Sequence, residues 1–157
     1  MESVRRAEDK PIDFKRMIHR IHSSGEEDYG GPFEVGCELF EVGYPGRLNN
    51  CEGCHLANTY YPFDPSTRLA TTVDVGADRS ILTDDVAFSP NVAVCSACHA
   101  TDLATEHMQQ NGGDFAAGKD NTGTLISSGV ETCALCHGPG RVADVKEMHR
   151  VGTFLFN

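Results

Sequence analysis

The chain has 157 residues, of which 39% are hydrophobic and 8% aromatic, with 16 glycines and no tryptophan. That is one domain's worth of chain with thin material for an ordinary apolar core. Its formal charge of −10 argues against a nucleic-acid partner, whose phosphates require a basic face, and no apolar run reaches the roughly 18 residues of a membrane helix.

Residues 1–10 are charged and expected to be flexible. Met1-Glu2-Ser3-Val4-Arg5-Arg6 leads into no apolar segment, so no signal peptide is read there. Pro11-Ile12-Asp13 opens the best helix of the sequence, with Asp13 as its N-cap. Phe14, Met17, Ile18 and Ile21 make one apolar face, with Lys15, Arg16 and Arg20 opposite. His19 and His22, three residues apart, project to the same side, about 60° round from each other. Gly25 ends the helix.

Residues 26–50 read as loop and strand. Phe33, Val35, Cys37 and Leu39, then Phe40, Val42 and Tyr44 on the other phase, suit a short strand with a kink. Tyr44-Pro45-Gly46 is a turn signal. Cys37 suits a small buried hydrophobe; a free thiol linking two chains is the sharper alternative.

Next comes Cys51-Glu52-Gly53-Cys54-His55, and the pattern recurs as Cys95-Ser96-Ala97-Cys98-His99 and Cys133-Ala134-Leu135-Cys136-His137. C-x-x-C-H is the attachment signal for a c-type haem. Two thiols at this spacing add to the two vinyl groups of one haem, and the histidine binds iron on the proximal side. The three copies use six of the seven cysteines. Structural zinc is the competing reading, but three pairs is an odd number for Cys₄ sites, and zinc needs no histidine after every pair. A disulfide framework would leave one cysteine over.

Between the first two copies, Pro62, Pro65, Gly76 and Pro90 punctuate the chain, and Thr71, Val73 and Val75 suit a short strand. Asp74, Asp78, Asp84 and Asp85 match no EF-hand spacing and read as a solvated acidic loop. Residues 101–110 read as a helix that carries His107 and ends at the C-cap Asn111-Gly112-Gly113. Residues 111–129 are Gly- and Asp-rich loop. After the third copy, Gly138-Pro139-Gly140 turns the chain, and residues 141–150 suit a short helix with Val142, Val145 and His149 on one side. Phe154 and Phe156 are placed to cover a haem edge.

The expected fold is therefore a multihaem cytochrome c, a single domain over 1–157. It is mostly irregular, with a few short α-helices and minor short β-strands wrapped around three covalently bound haems. His55, His99 and His137 are the proximal ligands. Three of His19, His22, His107 and His149 supply the sixth ligands, so every iron can be bis-histidine with one histidine spare. Met17, Met108 and Met148 are competing ligands that would raise the potential, but packing is their simpler role. Haem c is attached outside the cytoplasm, so the chain is expected at the cell surface or in the periplasm. It is read either as mature protein or as part of something longer.

Several segments resemble the outer-membrane decahaem cytochromes of metal-respiring bacteria, the OmcA/MtrC type. Asp13-Phe14-Lys15-Arg16-Met17-Ile18-His19-Arg20-Ile21-His22 is similar to that family's DFKxMIHxIH segment, and Tyr44-Pro45-Gly46-Arg47-Leu48-Asn49-Asn50-Cys51 to its YPGxLxNC run. Glu106 to Gly113, and Cys133 to Pro139 with His149 beyond, match its C-terminal pattern. The resemblance implies the last part of a five-haem domain, here as a three-haem fragment or a shortened relative. It implies also that the spare histidine is His19 or His22 and would serve an upstream haem.

The function this implies is an electron relay in extracellular metal respiration. Its partners would be other multihaem cytochromes as donors, with metal oxides, flavins or an electrode as acceptors. Two alternatives stand beside it. One is a nitrite- or peroxide-type reductase with one open haem site. The other is a structural or filament subunit that self-associates within a larger cytochrome assembly.

Overall fold

The computed structural model describes residues 11, 13–35, 38–62, 69–75, 78, 80–122, 124–126 and 129–151. The expectations for residues 1–10, Cys37, Pro65, Gly76, Phe154 and Phe156 lie outside them.

The first helix, α1 (Phe14–Ser23), starts where the sequence places it. The Asp13 carboxylate accepts from the Arg16 backbone N–H at 2.8 Å, a cap worth about 1 kcal/mol. Its C-cap is Ser24, whose Oγ accepts from the Val42 N–H at 2.9 Å. Gly25 follows because a Cβ there would sit 2.5 Å from the Val42 carbonyl oxygen.

The face that α1 buries is not the expected one. Phe14 is 73% exposed, whereas Arg20 is 6% exposed and Ser23 fully buried. The protein packs against the Arg16–Arg20–Ser23 side because backbone carbonyls wait there. Arg20 donates to the carbonyls of Tyr29, Gly30 and Gly31, which satisfies a buried guanidinium that would otherwise be costly.

The expected kinked strand is a hairpin. β1 (Phe33–Val35) pairs antiparallel with β2 (Glu38–Phe40), with Val35 opposite Glu38. Alternation that changes phase in mid-run marks two strands here, not one bent strand.

A second sheet has the order β3 (Thr71–Val73), β4 (Val86–Phe88), β5 (Ala117–Gly118), all antiparallel. Val75 falls outside β3, and β5 lies within the expected 111–129 loop. Of the acidic run, Asp85 is buried and pairs with Lys119 Nζ at 3.7 Å, so it is not solvated.

β4 leads directly into α2 (Pro90–Cys95), a helix the sequence did not signal. Then come α3 (Asp102–Gln110), capped by the Thr101 hydroxyl, α4 (Ala134–His137) and α5 (Val145–His149). α3 ends as expected: Gly112 has φ +82°, and the Gly113 N–H donates to the Met108 carbonyl at 2.8 Å. A Cβ on Gly112 would lie 2.3 Å from the Val130 carbonyl oxygen, so glycine is required there.

The core is small. Its buried apolar residues among those described are Phe33, Tyr61, Val73, Ala87, Val92, Ala93, Ala97, Met108 and Ala117, drawn from the two sheets, α2, α3 and the turns beside them. Large apolar side chains on the histidine-bearing elements stay outside it: Phe14, Leu103 at 77%, Leu135 at 68% and Met148 at 61% exposure. Of the methionines, Met108 is buried and Met148 exposed. Among the described residues no helix is long and apolar enough to cross a membrane.

Candidate functional site

The three C-x-x-C-H segments adopt one local form. In each, the histidine N–H donates to the carbonyl of the first cysteine, at 2.8 Å for His55, 2.9 Å for His99 and 2.8 Å for His137. Each motif is thus closed by one helical turn of backbone. Among the described residues, no group of three or more His, Cys, Asp or Glu side chains converges on a metal-sized site.

Each motif histidine faces a second histidine. His55 faces His19 with ring centres 5.9 Å apart and planes 14° apart. His99 faces His149 at 5.9 Å and 69°. His137 faces His107 at 6.1 Å and 89°. His22 faces none of them; its ring meets the edge of Tyr44 at 5.5 Å.

These spacings can be compared with what one metal ion between two imidazoles requires. Imidazole–metal bonds are about 2 Å, and a ring centre lies roughly 1 Å behind its nitrogen, so two axial rings have centres about 6 Å apart. All three pairs meet that distance. The planes are free to rotate about the N–metal–N axis, so 14°, 69° and 89° all suit it.

The ring nitrogens agree with this. A carbonyl can only accept, so an Nδ1 bonded to one carries the proton and leaves the Nε2 lone pair for a metal. His137 Nδ1 donates to Ala143 O at 3.0 Å. On the helices, Nδ1 donates to the carbonyl four residues back: His19 to Lys15, His22 to Ile18 at 2.7 Å, and His149 to Val145 at 2.8 Å. Such second contacts fix ring orientation at metal sites.

The distal partners cross over. The second motif faces His149 of α5, which follows the third motif, while the third motif faces His107 of α3, which precedes it. The two centres are interlocked. The second motif is also the middle one in the chain, and Arg16 of α1, the helix that carries His19, bonds to its Ser96. Burial pushes the Cys95 thiol up to about 12, with Cys133 and Glu131 adding to the rise.

Several supporting residues escaped the sequence reading. The Glu131 carboxylate accepts from Ser89 Oγ at 2.6 Å and from the backbone N–H groups of Asn91 and Val92. It thereby ties the start of α2, and so the second motif, to the approach of the third. Arg16 Nη1 donates to Ser96 Oγ inside the second motif. The Tyr61 hydroxyl donates to His137 O at 3.1 Å. Asp144 caps α5 by accepting from Lys146 N at 2.9 Å, and it also accepts from Gly140 N at 2.6 Å. Only Asp144 had a local signal, an acidic residue just before a helical run. The others act over long separations.

The sequence model of the outer membrane cytochrome MtrC/MtrF-like family, domains II/IV, matches residues 1–150. No curated protein matches the chain.

Proposed function

We propose that this chain, which belongs to the outer membrane cytochrome MtrC/MtrF-like family, relays electrons through three closely spaced bis-histidine haem c groups. The family supports a cytochrome role in electron transfer at the cell surface. Three haems, their ligands and their acceptors are our own reading. The observation that carries it is the pairing of His55 with His19, His99 with His149 and His137 with His107, each near the 6 Å expected for two axial imidazoles.

The haems supply the redox chemistry. The chain's residues do the rest. Cys51, Cys54, Cys95, Cys98, Cys133 and Cys136 anchor the groups as thioethers. The carbonyls of Lys15, Val145 and Ala143 orient the imidazoles of His19, His149 and His137. Phe14, Leu103, Leu135 and Met148 stand exposed on histidine-bearing elements, where an apolar ring would cover them.

An enzyme would need a motif histidine with its opposite side open, and each has a facing partner. His22 is then the spare, pre-oriented by Ile18; the resemblance implies that one of His19 and His22 serves a haem outside these three motifs, and the ring positions favour His22 for it. The charge of −10 favours cationic or mineral partners, with attraction weakened by salt. We read the donors as other multihaem cytochromes and the acceptors as extracellular metal oxides, flavins or an electrode.

Intact-mass measurement of matured protein with haem quantitation tests the haem reading. Three haem additions per chain are expected, and loss of one on changing both cysteines of any motif. Matured protein without haem would overturn it.

A further inference from the structure

We propose that Arg16 and Arg20, two buried guanidinium groups on α1, make the haem carried by the second motif the most easily reduced of the three. The inference rests on the three-haem reading above and adds an order of potentials to it.

Neither side chain forms an ion pair among the described residues: Asp13, the carboxylate that acts on Arg16, is paired with Lys15 at 3.5 Å. Arg16 bonds to Ser96, the residue after Cys95, and its guanidinium lies over the Phe88 ring at 5.1 Å. Its Nε–H is buried without a hydrogen-bond partner among the described residues. Arg20, 6% exposed, gives its protons to three backbone carbonyls and lies over Phe33 at 5.3 Å. Among the described residues the ion pairs join other groups: Lys15 with Asp13, Lys119 with Asp85, and Lys146 with Glu52. Arg20 Nη1 and the Ala100 Cβ lie 2.9 and 2.8 Å from where a Cβ on Gly30 would sit, which puts Arg20 beside the residue that follows His99. Burial lowers Arg16 to about 10, which leaves it cationic at neutral pH.

Neutral carbonyls and aromatic faces satisfy these groups without cancelling their charge. A ferric haem gains one electron and one negative charge on reduction. A fixed cation nearby, poorly screened by its buried setting, favours that step. Glu131 opposes it, since its carboxylate lies within reach of Cys95. The Asp13 carboxylate is offset by its own partner Lys15, so Arg16 and Arg20 against Glu131 leave a positive balance.

The flanking motifs differ. Glu52, inside the first motif, is paired with Lys146 at 3.6 Å. Beside the third motif stands Asp144, buried, with its carboxylate met by backbone N–H groups. Because the second motif is the middle one, the first electron to enter from either flank would settle at the centre of the chain.

The test is a redox titration of intact holoprotein, with dithionite supplying electrons one at a time to ferric iron. Arg16→Met should lower the midpoint of the highest-potential step and leave the other two in place. Arg16→Lys, which keeps the charge, should restore it. Glu131→Gln should move the same step upward. If Arg16→Met does not mature, the Glu131→Gln shift decides alone. A highest step that stays put in these variants, equal movement of all three steps, or failure of lysine to restore it would overturn the inference. Wild-type protein with fewer than three low-spin haems would instead count against the three-haem reading on which it rests.

Discussion

The imidazoles of His99 and His149 face each other across 5.9 Å although the whole third motif lies between them in the chain. The intervening motif faces back to His107 on α3. In the proposed ligand set, a local sequence signal supplies one ligand of each centre and a long-range fold supplies the other. The proposal therefore couples the centres: loosening α5 would disturb the second motif's iron, and loosening α3 the third's.

Changing the histidines one at a time follows from this. His19→Ala, His107→Ala and His149→Ala should each convert one haem in three from low to high spin. His22→Ala should leave the low-spin count unchanged, because its ring meets Tyr44 and no motif histidine. Optical and magnetic circular dichroism spectra of the four variants would check this, and a high-spin haem in His22→Ala would put the wrong residue in the spare position.

Acid should release α5 early. The Asp144 carboxyl is held below its ordinary value, first by the Gly140 N–H and then by Lys146 N and the Tyr61 hydroxyl. A depressed folded pKa stabilises the protein above the unfolded value of about 3.9 and loses that contribution as pH falls through the folded one. Stability carried by this cap is thus complete at neutral pH and fades below about pH 4. Asp144→Asn should flatten that acid limb and show more high-spin haem at neutral pH, as His149 loses its anchor. An unchanged acid titration in the variant would mean the cap does not hold α5.

Glu131 makes a different prediction. It satisfies Ser89 Oγ and the N–H groups of Asn91 and Val92 together. Removing a charged acceptor from partly buried donors costs about 2 kcal/mol. Glu131→Ala should lower the thermal midpoint by several degrees, with haem content intact. A midpoint within a degree of wild type would mean that water replaces the carboxylate.

The sequence was most legible where the determining contact is short. Asp13 capping α1, Gly112 closing α3 and the three motif turns each depend on residues within five positions of one another. It was least legible on α1 itself. The stripe of Phe14, Met17, Ile18 and Ile21 is real, yet the protein buries the opposite side, because carbonyls at 29–31 receive Arg20 and the second motif receives Arg16. The kinked strand was two strands, and α2 was invisible because its capping acid, Glu131, lies far along the chain. The count of seven histidines showed that one was spare. Only the ring positions separate His22 from His19.

The central claim is that each of three irons sits between two histidines. The electron paramagnetic resonance spectrum of the fully oxidised protein, with haem content measured on the same sample, tests it most directly. Near-parallel imidazole planes split the iron orbitals strongly and give a rhombic low-spin signal, while near-perpendicular planes give a more anisotropic one. With angles of 14°, 69° and 89°, the account predicts three haems, all low-spin, as one rhombic signal and two of the anisotropic kind. A high-spin signal from one haem in three would contradict it.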